Sequence, residues 1–264
     1  MVTDKKAKLI LSQETLSGYG LDYVFQCAKD LNFDGIDLAL WKNFDARNVG
    51  YVTKLVEKYE IPVNVIQVSS KVNRKELDMA VNIANAVGAQ IICINAPLRY
   101  QIETYRFITT NLASYKRHNS NIKFCIVNPP NSNLFSLPIS KYYFANPVEI
   151  ITKMKAQLGL DISNLDETIL ESSFLRKMSN FVPHIGVVYL SDKDKLGKSH
   201  QPLGSGILKL PSLLKKFKQT EYYGYFSLKL NIEKKDLADM EKVEQIIKKC
   251  RLYYKENFEE LIIK

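Results

Sequence analysis

"RKELDMAVNIANAVGAQIICINAP", residues 74–97, holds one full unit of the chain's architecture. Fourteen residues of helical pattern run into Gly88, which reads as a left-handed helix cap, and an apolar strand, "AQIICINAP", follows directly. The same alternation extends in both directions. Upstream, "KLILSQ" reads as a first strand, and "LDYVFQCAKDLNF" sets Leu21, Val24, Phe25, Ala28 and Leu31 on one helical face. Then come the strand "FDGIDLAL", the helix "VGYVTKLVEKYE" and the strand "IPVNVIQV". Downstream, the helix "TYRFITTNLASYKRH" precedes the strand "IKFCIVNPP", and "PVEIITKMKAQ" precedes "LGLDIS". "DETILESSFLRKMSNF", residues 166–181, is a further helix before the strand "HIGVVYLSD". "LPSLLKKFKQT" leads to "YYGYFSLKLNI", and a long amphipathic helix closes the chain. The strands are continuously apolar rather than alternating, which is the mark of parallel strands buried on both faces. Eight such units predict an α/β protein, a single (β/α)8 TIM barrel over residues 1–264, with a doubly wound open sheet as the runner-up.

Composition narrows the function classes. The chain has 264 residues, 46% hydrophobic and 25% charged, which is enough to bury a large core. Its start carries no signal-peptide pattern, and no stretch nears the roughly 18 apolar residues of a membrane span, so a cytoplasmic location and no membrane partner are expected. Cys27, Cys93, Cys125 and Cys250 are far apart and form no CxxC, arguing against a zinc knuckle or a disulfide frame. The net charge of +9 raises a nucleic-acid partner as a subordinate alternative, because the lysines are spread along amphipathic segments rather than gathered. The oligomeric state is left open.

Barrels of this kind place their chemistry at the C-terminal strand ends. Asp37, Gln67, Asn95, Asn128, Asp161, Asn164, Tyr189, Asp192 and Lys229 fall there, with Gln13 and Glu14 after the first strand. Gln67, Asn95, Asn128 and Asn164 form a set of amides, which both donate and accept and so suit sugar hydroxyls or nucleobase edges. The alternative for such amides is bonding to loop backbone. Asp37 is expected to hold a loop or a ligand hydroxyl, and Trp41 and Phe44 are candidates for stacking on a ring. "NPPNSNLFSLPISKYYFANP", residues 128–147, is a long loop on this face, whose Tyr142, Tyr143 and Phe144 are placed to close over a ligand.

"LNFDGIDL", "AVGAQIICINAP", "LGLDISNL", "VVYLSDKDKLGKSHQPLGSG" and "GYFSLKLNI" resemble, in order and spacing, the strand motifs of the xylose isomerase-like superfamily. That group holds sugar and sugar-phosphate isomerases and epimerases and the type-IV apurinic endonucleases. "HQPLGSG", residues 200–206, is the most specific piece. The resemblance implies a divalent metal held on strands five to eight by Glu, Asp, His and Glu. These positions fall on Val127, Asp161, Tyr189 and Lys229, so only Asp161 keeps its type. The endonuclease histidines would match Gln67, Asn95 and Asn164, and its Asp-x-His pair would match Lys198 and His200. No cofactor is therefore expected, unless a metal enters through a rearranged set of Asp161, Asp192 and His200. Lys229 reads first as a counter-ion to Asp161, standing in for the metal, and second as a reactive lysine. Three functional readings follow. One is a divergent barrel with a degenerate metal site that binds a small polyol, sugar-phosphate or nucleotide-like ligand. Another is an active isomerase or epimerase using Asp161, His200 and Lys229 as acid and base groups. The third is a nucleic-acid-binding relative that does not cleave.

Overall fold

Pairing of each strand with its neighbour in the chain is what closes the sheet. The computed structural model describes residues 6–131, 140–145, 147–165 and 179–263. Within them, β1 (Lys8–Ser12), β2 (Ile36–Ala39), β3 (Val63–Val68), β4 (Ile91–Asn95), β5 (Lys123–Val127), β6 (Gln157–Asp161), β7 (Ile185–Leu190) and β8 (Tyr225–Leu228) pair in sequence, and β8 returns to β1. All eight are parallel, so the molecule is a (β/α)8 barrel and the open-sheet alternative is excluded. Around it run α1 (Leu21–Asp30), α2 (Val49–Tyr59), α3 (Arg74–Val87), α4 (Ile102–His118), α5 (Pro147–Thr152), α6 (Leu210–Gln219) and α7 (Met240–Tyr254). The helix expected over 166–181 lies, as far as residue 178, outside the described residues. Among the described residues no helix is long and apolar enough to cross a membrane.

The continuous apolar strands are explained by their two buried faces. On β4, Ile92 and Ile94 join the large core between sheet and helices, while Ile91 and Cys93 turn into the barrel. Ile10, Val65, Cys125, Val127, Val187 and Tyr189 join them in that second core. Gly88 takes φ +72 and returns its N–H to the Ala84 carbonyl, ending α3 where β4 must begin. All four cysteines are buried free thiols.

Two devices shape the C-terminal rim. After β1 the chain enters a short 3₁₀ turn, Gln13–Leu16, whose Thr15 hydroxyl donates to the Leu228 carbonyl (2.9 Å) and accepts from the Leu230 N–H (3.0 Å). This hydroxyl fastens the chain on either side of Lys229. After β7, Asp192–Lys193 pairs with Ser199–Gln201 in a small antiparallel ribbon that carries His200. Sequence position sets Asp192 at the site, but the structure turns it away. Its buried carboxylate accepts the backbone N–H groups of Lys193, Gly204, Gly206 and Leu208 at 2.8–3.1 Å. A Cβ at Gly206 would run into Lys193 O and Asp192 Oδ1, which is why this loop reads "HQPLGSG". Asp192 is thus a loop anchor rather than a ligand group. Asp192→Ala strands four amide donors, so denaturant unfolding is expected to show a loss on the order of 3 kcal/mol or more.

Candidate functional site

The mouth of the barrel holds a cavity of about 300 Å³. Lys229, one residue past β8, forms its charged floor. The ammonium lies 2.8 Å from Glu14 Oε1 and 4.9 Å from the centre of the Tyr189 ring, and the residue is only 9% exposed. Lys42 approaches the other oxygen of Glu14 at 3.7 Å. Burial alone would raise the Glu14 pKa, but Lys229, with Lys42 and His200, brings it below its ordinary value. Burial would likewise lower the Lys229 pKa, and the charges of Glu14, Asp161 and Asp37 outweigh it and raise it. Glu14 has no sequence motif of its own. Its place after the first strand was the sole signal, and only closure of β8 onto β1 brings it to Lys229.

Lys229 compensates Asp161 through its charge, as expected, but without direct contact. Lys229 makes its close contact with Glu14, and Asp161 instead binds His200, Nε2 to Oδ2 at 2.8 Å. Asp161 Oδ1 accepts the Ser163 hydroxyl at 2.8 Å. Burial pushes the Asp161 pKa up, yet His200, Lys229 and Ser163 together hold it below the ordinary value. An ionised Asp161 accepts, so the proton of the pair sits on His200 Nε2. His200 sits at φ +63, a left-handed conformation that a non-glycine residue adopts at a cost. Its carbonyl accepts Asn231 N–H at 2.7 Å, and the neighbouring Ser199 hydroxyl donates to Ser163 O at 2.9 Å. The ribbon is therefore tied to the loops after both β6 and β8.

The amides divide into two levels. Asn95, Asn128 and Asn164 line the cavity, together with Ser69, Ser70 and Val127. Each spends one N–H on the framework: Asn95 on Val68 O (3.2 Å), Asn128 on Asp161 O (3.0 Å) and Asn164 on Asn128 O (3.1 Å). Asn128 Oδ1 also accepts Asp161 N–H at 2.7 Å, so this side chain extends the β5–β6 pairing by one rung. Gln67 and Asp37 lie beneath the cavity rather than in its wall. Asp37 Oδ2 accepts from Gln67 Nε2 (2.7 Å) and Ser227 Oγ (2.8 Å), and Asp37 is fully buried. Burial raises its pKa to about 7 against the opposing effect of Ser227 and Lys229. Tyr189 is likewise buried below, its ring covered by Lys229, and does not reach the cavity.

Aromatic walls complete the mouth. Trp41 and Tyr142 line it, whereas Phe44 points to solvent, 91% exposed. Tyr142 is delivered by a strap, residues 140–144, that bridges to Leu98 and bonds to Pro97 and Arg99. Tyr143 stacks on Tyr105 with ring centres 4.0 Å apart and Phe144 is buried, so of the three loop aromatics only Tyr142 faces the ligand space. Among the described residues, no three His, Cys, Asp or Glu side chains gather as a metal set. The rearranged trio fails because Asp192 faces its own loop.

Asp37 gives the site a pH signature. Its pKa is 3.8 ordinarily and about 7 when folded, so between those values the folded chain holds a proton that the unfolded chain has released. That difference favours the fold at low pH and is lost as pH rises through the window. Glu14 and Asp161, with lowered values, act in the opposite sense, below their ordinary range. Relative to Asp37→Asn, the melting temperature of the wild type is expected to fall as pH rises from about 4 to about 7. Parallel curves for the two proteins would contradict a protonated Asp37.

Comparison with known proteins agrees with this architecture. No family model matches the chain. Uncharacterized proteins of Mycobacterium bovis and Mycobacterium tuberculosis are 27% identical over 103 residues, a match covering 36% of this chain and 37% of each relative. Among solved structures, the apo form of a 3-keto-D-glucoside 4-epimerase from E. coli aligns with TM-score 0.69 at 15% identity, covering 94% of this chain and 100% of that one. A D-allulose 3-epimerase from Methylomonas sp., in complex with D-allulose, gives 0.64 at 13%, covering 96% and 98%. The IOLI protein with a bound zinc atom gives 0.70 at 14%, covering 95% and 99%. A xylose isomerase domain protein from Alicyclobacillus acidocaldarius gives 0.72 at 11%, covering 96% and 98%. Identities this low speak to architecture, and the chain has the fold of the xylose isomerase-like barrels.

Proposed function

We propose that the C-terminal mouth binds a small, neutral, polyhydroxylated ligand of sugar size. The observation that carries this reading is the charge balance of the cavity. Lys229 and Lys42 both face Glu14, and His200 faces Asp161, so among the described residues no cation at the floor is left over for a phosphate. A phosphate ester would bring one to two further negative charges close to two ionised carboxylates. Hydroxyls instead suit the remaining amide and serine groups, and Trp41 with Tyr142 offers apolar faces to the C–H side of a ring. The volume of about 300 Å³ lies at the small end of ligand sites, as a monosaccharide would need. The naming of several structural neighbours as sugar epimerases supports the same ligand class. The polyanion alternative has only the overall charge of +9 behind it.

A second reading is favoured by the Asp161–His200 pair. A buried carboxylate that orients an imidazole lining the cavity is a device for moving protons. On a sugar carrying a carbonyl, His200 would take or return the proton at the neighbouring carbon, making the protein an isomerase or epimerase. Binding is common to both readings, so it is tested first.

Trp41 is the chain's single tryptophan and lines the cavity, so its fluorescence reports occupancy without a label. Titration with neutral monosaccharides and polyols is expected to give a saturable change, about tenfold weaker in Asn164→Ala. Response to phosphate esters alone would overturn the neutral-ligand reading, and silence towards every sugar would overturn the site. For a ligand that binds, solvent deuterium entering its carbon skeleton in the wild type but not in His200→Asn would establish proton transfer.

A further inference from the structure

The resemblance read from the sequence implies a divalent cation at the ends of β5 to β8, and the residues there do not fit one. Val127 offers methyl groups and Tyr189 a ring buried beneath an ammonium. Asp161 offers the one carboxylate of the four, and both its oxygens are engaged by His200 and Ser163. Hard and borderline cations need several oxygen or nitrogen donors to replace the water they shed. What this site has instead is a positive charge of its own.

We propose that Lys229 is the resident cation of this site, a covalently attached charge that neutralises Glu14 and Asp161 where a metal ion would otherwise do so, and that it bars divalent metals from the mouth. The ammonium is nearly excluded from solvent, 2.8 Å from Glu14 and capped on one side by the Tyr189 ring. In a partly desolvated pocket, a divalent ion brought beside it meets strong repulsion. Nor can the lysine easily withdraw. Its own N–H bonds Leu190 O at 3.3 Å, and Thr15 pins the residues on both sides of it. A buried ion pair of this kind adds little to stability over an apolar pair, so its main consequence is the field it sets in the cavity. The inference rests on Lys229 and its surroundings, and holds whether or not the ligand is a sugar.

The test is calorimetric titration with manganese alone, together with melting curves in manganese, zinc or magnesium and after a chelator, on the full chain purified without added metal. The wild type is expected to show no saturable heat and no shift. Lys229→Glu adds a carboxylate next to Glu14 and Asp161, and is expected to bind manganese at least about tenfold more tightly than the wild type, with a chelator-reversible rise in melting temperature. Near-stoichiometric manganese in the wild type overturns the proposal. So does a folded Lys229→Glu protein that ignores metals. Should that variant fail to fold, Lys229→Met and Lys229→Met/Glu14→Gln decide the question. The single change is expected to lower the melting temperature and the second to recover most of the loss. Losses that simply add would show that Lys229 does not neutralise Glu14 and would overturn the proposal.

Discussion

An ammonium held out of water has to be neutralised, and Lys229 lowers the pKa of each of the three carboxylates around it. Glu14 is its close partner, and that carboxylate stays ionised despite its burial. Asp161 lies within reach of the same field and stays ionised too, which in turn fixes the orientation of His200. Asp37, one layer deeper and hydrogen-bonded only on Oδ2, is pushed the other way. Asp161 and Asp37 are about equally buried, so their partners separate them: Asp161 faces His200 and Asp37 only Gln67 and Ser227.

Around this charge group the walls are built by side chains already committed to the framework. Asn128 completes the pairing of β5 with β6, and Asn164 and Asn95 hold adjoining carbonyls. Such groups cannot swing freely, so the donors and acceptors that remain to them point in fixed directions. Preorganisation of this kind lowers the ordering cost of binding. The strap bearing Tyr142 is similarly fastened, through backbone bonds to the loop after β4.

The sequence carried the architecture openly, because a parallel barrel writes itself as repeated apolar runs separated by capped helices. Gly88 is an example, since a left-handed cap after α3 is visible in one letter. The position of the site was equally legible, as strand ends are defined once the strands are. What could not be read was direction and partnership. Asp192 and Asp161 sit alike at strand ends, yet one feeds four loop amides and the other faces His200. Whether a carboxylate turns inward depends on which backbone donors the following loop leaves open, and that is a property of the closed structure. Position points Lys229 to Asp161, whose charge it does offset, but its contact partner, Glu14, comes from the opposite end of the chain and from a turn with no motif. Tyr142 was likewise indistinguishable from Tyr143 and Phe144 until the strap's packing on Tyr105 separated them.

The fastening of Thr15 to the backbone around Lys229 spans 213 and 215 positions of sequence. Contacts this remote require the two ends of the barrel to meet, closing a loop of almost the full chain. Glu14 and Lys229 follow the two strands that meet at the closure of the sheet, so neither strand alone carries both charges. The seam that completes the sheet also completes the site.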